Sequence, residues 1–151
     1  MEKFKKGVLG IPYQYRHYKL CYLLFHKKRL PPGWEFPKGG LNGKTKGQAI
    51  KEELKEEANI RISKPKPLIY RGEHYNYEYY FYEESGDLIR RLMYVYYVHV
   101  NKSEEIRVDD REHDYFGWMT RKRALDFLRH KNMVKSLIIT ERVIKGRAHR
   151  Y

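Results

Sequence analysis

Apolar residues recur at two periods along this chain, and the change of period separates strands from helices. Lys6–Tyr15 and Tyr18–Lys27 read as two strands, with apolar positions at Val8, Ile11, Leu20, Tyr22 and Leu24 and a connection through Gln14–Tyr18. Pro31-Pro32-Gly33 marks a turn into a short strand, Trp34–Phe36. From Thr45 to Ala58 the period becomes helical. Ala49, Ile50 and Leu54 mark a core face, and Thr45 is placed to act as the N-cap. Two prolines lie on the way out, in the stretch Ile60–Pro67. Leu68–Tyr75, Tyr77–Glu84 and Leu88–Val100 read as strands, the last two forming a hairpin around Ser85-Gly86-Asp87. Asn101–Glu112 is a charged loop and Tyr115–Met119 a last short strand. Arg121–His130 and Asn132–Arg147 read as helices, the second carrying Val134, Leu137, Ile138, Val143 and Ile144. With no internal repeat, linker or low-complexity stretch, the pattern predicts one α/β domain over residues 1–151, a mixed sheet with helices on its faces.

Composition narrows the partners. A chain of 151 residues with 41% hydrophobic residues can bury a core. No apolar run is long enough to span a bilayer, and MEKFKKG lacks the apolar segment of a signal peptide, so a cytoplasmic protein with no membrane partner is the expectation. Cys21 is the only cysteine, which excludes an internal disulfide and leaves no zinc spacing; it reads as a small core residue. The net charge of +13 suits a polyphosphate or RNA and predicts steep salt dependence. A surface rich in both signs also fits solubility or growth at high temperature.

The chemistry concentrates in Phe36–Ile60, FPKGGLNGKTKGQAIKEELKEEANI. Glu53, Glu56 and Glu57 stand at i, i+3 and i+4 and share one helical face. Three like charges there repel one another, and a divalent cation among them offsets that repulsion, because carboxylate oxygens suit magnesium, calcium or manganese. Taken alone, the spacing interleaved with Lys51 and Lys55 describes an ordinary solvated face. The residues around it change the reading. Glu53, Leu54, Glu56, Glu57 and Ile60 resemble the second half of the Nudix box. Phe36-Pro37-Lys38-Gly39-Gly40 resembles the approach to that box in the branch acting on dinucleoside polyphosphates and RNA 5′ ends. Glu112–Trp118 followed by Arg123–Leu128 is similar to the late E-H-x-x-x-x-W segment and helix of diadenosine tetraphosphate hydrolases.

The box departs from the family pattern. Glu52 stands for its Arg, Lys44 for the Glu of the loop and Asn59 for the closing Gly, and the loop is one residue short. Asn tolerates the left-handed conformation that ends a helix. Lys44 and Glu52 exchange the family's signs, which predicts a reversed salt bridge clamping the loop.

The resemblance implies a Nudix-type α/β/α sandwich with a mixed β-sheet, and a metal-dependent hydrolase of phosphoanhydride bonds using Mg2+ or Mn2+. Its implied ligands are Glu53, Glu56, Glu57 and Glu112. Glu53 and Glu112 are the implied catalytic carboxylates, Glu112 serving as a further ligand or as the general base. Lys38, Gly39 and Gly40 would meet the phosphates, and Tyr82 would stack on a base. Lys44 and Glu52 would support the loop. Ser85 stands where some relatives carry a Lys. His113 reads as a structural hydrogen-bonder. A dinucleoside polyphosphate such as diadenosine tetraphosphate is the first expected substrate. RNA 5′-end pyrophosphohydrolysis, or a catalytically weakened domain that binds nucleotide or RNA, are the alternatives, and DNA is not expected. No Walker loop or Rossmann fingerprint is present.

Overall fold

A computed structural model describes residues 2–29 and 31–148; Met1, Leu30 and residues 149–151 of the expected 1–151 span lie outside the described residues. The strands are β1 (Glu2–Arg16), β2 (Lys19–Lys27), β3 (Gly33–Glu35), β4 (Lys38–Gly40), β5 (Lys66–Pro67), β6 (Ile69–Tyr70), β7 (Glu73–His74), β8 (Asn76–Tyr82), β9 (Leu88–His99) and β10 (His113–Thr120). The helices are α1 (Lys46–Ala58), α2 (Arg121–Phe127) and α3 (Lys131–Ala148).

One mixed sheet runs β10-β2-β1-β9-β5, with β3 beside β2, β4 beside β1 and β8 beside β9. Its spine is the parallel pair β1 and β9, in register from Glu2↔Leu88 to Tyr13↔His99. The other ladders of this sheet are antiparallel. Alternation along a strand sends successive side chains to opposite faces. Val8, Leu23, Phe25, Tyr96 and Val98 meet Ala49, Ile50, Leu54 and Ala58 of α1 on one face. Leu9, Ile11, Tyr22, Leu24, Met93 and Val95 meet Met133, Leu137, Ile139 and Ile144 of α3 on the other. The layers are therefore helix, sheet and helices, and Cys21 is buried as a core residue.

Several elements differ from the sequence reading. Leu68–Tyr75 is not one strand. Arg71 and Gly72 adopt φ of 53° and 82° and fold β6 back on β7. The β1–β2 connection is only His17-Tyr18, both left-handed, with no glycine to announce it. Gly39-Gly40 belongs to a strand, β4, paired with Val8 and Gly7. The first C-terminal helix stops at Phe127, because Leu128 turns extended and bridges Trp34.

Candidate functional site

Helix α1 carries its own start and stop signals. Thr45 Oγ1 accepts from the Gln48 amide at 3.2 Å while Gln48 Oε1 accepts from the Thr45 amide at 3.1 Å, a reciprocal cap. Asn59 closes the helix with φ 59° and ψ 31°. Between these ends the three carboxylates lie at different depths. Glu56 is exposed, Glu53 is half-buried beside Leu54, and Glu57 is 7% exposed. Gly39 explains how Glu53 fits: a Cβ there would overlap the Glu53 carboxyl and lie 2.8 Å from its Cγ. Pairing of Gly39 with Val8 fixes that backbone against the helix. Gly40 sits next along β4, opposite Gly7.

Glu112 arrives from the far end of the chain. Its carbonyl accepts from the Lys28 amide at 2.8 Å and its amide donates to the Asp109 carbonyl at 3.0 Å. His113, the next residue, is fully buried against the Phe25 ring at 5.5 Å. A ring nitrogen of His113 and one oxygen each of Glu57 and Glu112 lie within 4.8 Å of one another. Glu35 completes the arrangement, with its Oε2 3.0 Å from His113 Nε2. Burial alone would raise the Glu35 carboxyl, but the hydrogen bond from His113 and the charge of Lys38 hold it below the ordinary carboxylate range. An ionised carboxylate only accepts, so the ring proton sits on Nε2.

Burial pushes the Glu53 and Glu57 carboxyls up. Glu56 and Glu112 push Glu53 further, and Glu53 and Glu112 do the same to Glu57. Glu57 thus lies among like charges, and each neighbouring carboxyl favours its protonated form. Glu53 Oε2 is buried without a hydrogen-bond partner among the described residues. A buried acceptor in such a place is ordinarily satisfied. An oxygen-rich donor set with one unsatisfied oxygen fits a hard divalent cation.

Two cavities share Lys38, one of them beside Glu112. Lys27, Arg29, Glu35, Lys38 and Glu112 line a cavity of about 230 Å³. Lys38 also lines a second cavity of about 340 Å³, with Tyr77, Tyr79, Phe81, His130 and Met133. Its Nζ lies 5.7 Å from the Tyr79 ring centroid. The rings of Tyr77, Tyr79 and Phe81 follow one another at 6.2 and 5.7 Å along one face of β8. Tyr82 takes the opposite phase of the same strand. It is 74% exposed and does not line the groove, although Tyr80 of the same phase does border it.

Glu53, Glu57, Glu112, Lys38 and Gly39 thus converge, with Glu56 at the rim. Lys44 Nζ pairs with Glu52 Oε2, both side chains partly exposed, as the exchanged signs lead one to expect. Sequence reasoning did not single out Glu35, Lys27, Arg29, His130 or the trio Tyr77, Tyr79 and Phe81. For the trio a signal existed in the period of two, but tyrosines at Tyr80 and Tyr82 on the other phase hid it.

The family model of the NUDIX domain matches residues 4–137. A comparison with curated proteins gives no match. Among solved structures, an Ap4A hydrolase binary complex from C. elegans superposes with a TM-score of 0.73 at 22% identity, covering 94% of this chain and 98% of that one. The E. coli dihydroneopterin triphosphate pyrophosphohydrolase gives 0.73 at 17% identity, covering 94% and 98%. The NUDIX domain of Shewanella oneidensis NrtR complexed with ADP ribose gives 0.68 at 11% identity, covering 95% and 90%. Among the described residues no helix is long and apolar enough to cross a membrane. The α/β/α layering is the Nudix fold, and with the family's profile spanning most of its length, this chain belongs to the NUDIX domain family.

Proposed function

We propose that residues 1–151 act as one Nudix domain that hydrolyses phosphoanhydride bonds of nucleoside polyphosphates, dinucleoside polyphosphates such as diadenosine tetraphosphate first among them. The observation that carries this reading is the place of Lys38, which lines both the cavity at Glu112 and the aromatic groove. A polyphosphate lying past Lys27, Arg29 and Lys38 has its charge matched along its length. Its base then meets the faces of Tyr77, Tyr79 and Phe81, where stacking is worth about 1–3 kcal/mol per base.

Glu53, Glu56, Glu57 and Glu112 would hold Mg2+ or Mn2+; Glu57 and Glu112 already stand together, and Glu53 Oε2 is buried with no hydrogen-bond partner among the described residues. Bound there, the cation would neutralise charge building on the phosphate oxygens and ease loss of a proton from the attacking water. Ionised Glu53 would take that proton; burial and its acidic neighbours raise its proton affinity, with a pKa of about 7. Gly39 keeps Glu53 in place, and the Lys44–Glu52 pair ties the loop after β4 to α1. The likeness to an Ap4A hydrolase supports the substrate class, and the E. coli and Shewanella relatives show how broadly the same sandwich serves phosphorylated ligands.

The net charge of +13 favours a second reading, action on RNA 5′ ends. The experiment is a panel of diadenosine tetraphosphate, ADP-ribose, nucleoside triphosphates and 5′-triphosphorylated RNA, each assayed with magnesium and with manganese. Diadenosine tetraphosphate should turn over with the highest kcat/KM. A higher value on RNA would transfer the function to RNA ends. Tight nucleotide binding with no turnover on any member would make this a binding domain.

A further inference from the structure

His113 lies against the carboxylate cluster but outside its sequence motif. Its ring is fully buried, so neither nitrogen reaches bulk water. Nε2 donates to Glu35, itself 6% exposed. In the neutral ring Nδ1 then keeps its lone pair, and Nδ1 is buried with no hydrogen-bond partner among the described residues. A histidine buried only for packing ordinarily has its polar atoms satisfied. This one is satisfied on one side and left open on the other. One of its ring nitrogens shares a space of 4.8 Å with oxygens of Glu57 and Glu112, and Nδ1 is the nitrogen with a lone pair to give. Two ligand atoms each about 2.1 Å from one ion are separated by about 3 Å when at right angles and about 4.2 Å when opposed. The three groups are close enough for a small relaxation to bring them around one ion, and Nδ1 makes no competing hydrogen bond there.

We propose that His113 supplies Nδ1 as a nitrogen ligand to the divalent cation, and that Glu35 is the positioning residue that fixes its tautomer and ring orientation. Carboxylate, imidazole and metal in line is a common way to orient a histidine ligand. The inference rests on the carboxylate metal site proposed above and adds a donor of a different class. Its chemical consequence is selectivity: a nitrogen donor moves preference away from magnesium toward manganese and cobalt.

The test uses the full chain loaded with Mn2+ alone and needs no substrate. Pulsed electron paramagnetic resonance should show modulation from a directly bound nitrogen, and its frequency should change when the histidines carry the heavier nitrogen isotope. His113→Gln should abolish it. Should that variant fail to fold, the labelled natural chain still decides, together with Glu35→Gln, which should weaken Mn2+ binding about 10–100-fold. Mn2+ binding that Glu57→Gln weakens, but without nitrogen modulation, would overturn the role of His113 and leave the carboxylate site standing. Mn2+ binding that does not respond to Glu57→Gln would overturn both.

Discussion

Glu57→Gln probes the carboxylate cluster in the absence of any substrate. Glu57 is 7% exposed, and burial followed by the charges of Glu53 and Glu112 raises its carboxyl well above the ordinary value of 4.5. The folded chain therefore keeps a proton that the unfolded chain releases. Where the folded state binds more protons, stability falls as pH rises. The loss begins near pH 4.5 and continues through neutrality. From pH 4.5 to 7 it amounts to about 3.4 kcal/mol if Glu57 holds its proton throughout. Sharing of that proton with Glu53 and burial of the new amide reduce what the variant recovers, and about 2 kcal/mol is expected at pH 7. For a chain of this size that is roughly 4–8 °C in Tm. With the chelator replaced by Mn2+ at a hundred times its Kd, the natural chain gains about 2.7 kcal/mol and the variant little, so the order reverses. The assay is thermal unfolding of both proteins at pH 4.5 and pH 7, with EDTA and with Mn2+. A variant less stable than the natural chain at pH 7 in EDTA, or an equal gain at both pH values, would refute the argument that buried like charge is the origin.

Three further variants examine other parts of the site. Gly39→Ala places a methyl where the Glu53 carboxyl lies, so turnover should fall about 100-fold while the fold survives; unchanged activity would show that Glu53 is not needed where it stands. Tyr79→Ala should raise KM roughly tenfold or more, and Tyr82→Ala should change it less than about twofold. The opposite ranking would put the base on the far face of β8. Lys44→Glu and Glu52→Arg should each lower kcat, and the double reversal should recover most of the loss, whereas additive effects would show that the two do not act together. Turnover is the readout because an exposed pair adds little to stability.

What the sequence made legible follows the range of the interactions involved. The limits of α1 were readable because Thr45 and Gln48 cap each other within one turn and Asn59 closes the far end. The β8–β9 hairpin was readable because Gly86 supplies the left-handed residue, with φ 87°. His17 and Tyr18 make the same kind of turn with residues that carry no such signal, and Arg71 breaks a stretch that looked like one strand. The site shows the same division. The shared face of Glu53, Glu56 and Glu57 follows from spacing alone, but their depths do not. Gly39 of β4 lies against Glu53, a contact that depends on pairing with β1, and Glu57 is buried beside Glu112 and His113 while Glu56 stays exposed. Glu35 and His113 meet across 78 residues, which no local period records. Nothing in the charged run Asp109–Asp114 distinguishes Glu112 from its neighbours, and it was located only by resemblance to the family's E-H segment. The phase of the β8 tyrosines lacked even that guide, since its meaning arises only when the sheet brings β4, β8 and the start of α3 to one groove. The family motif reached the carboxylates because it condenses long-range geometry into local letters. The groove that would choose the substrate has no such letters, so it had to be read from the folded chain.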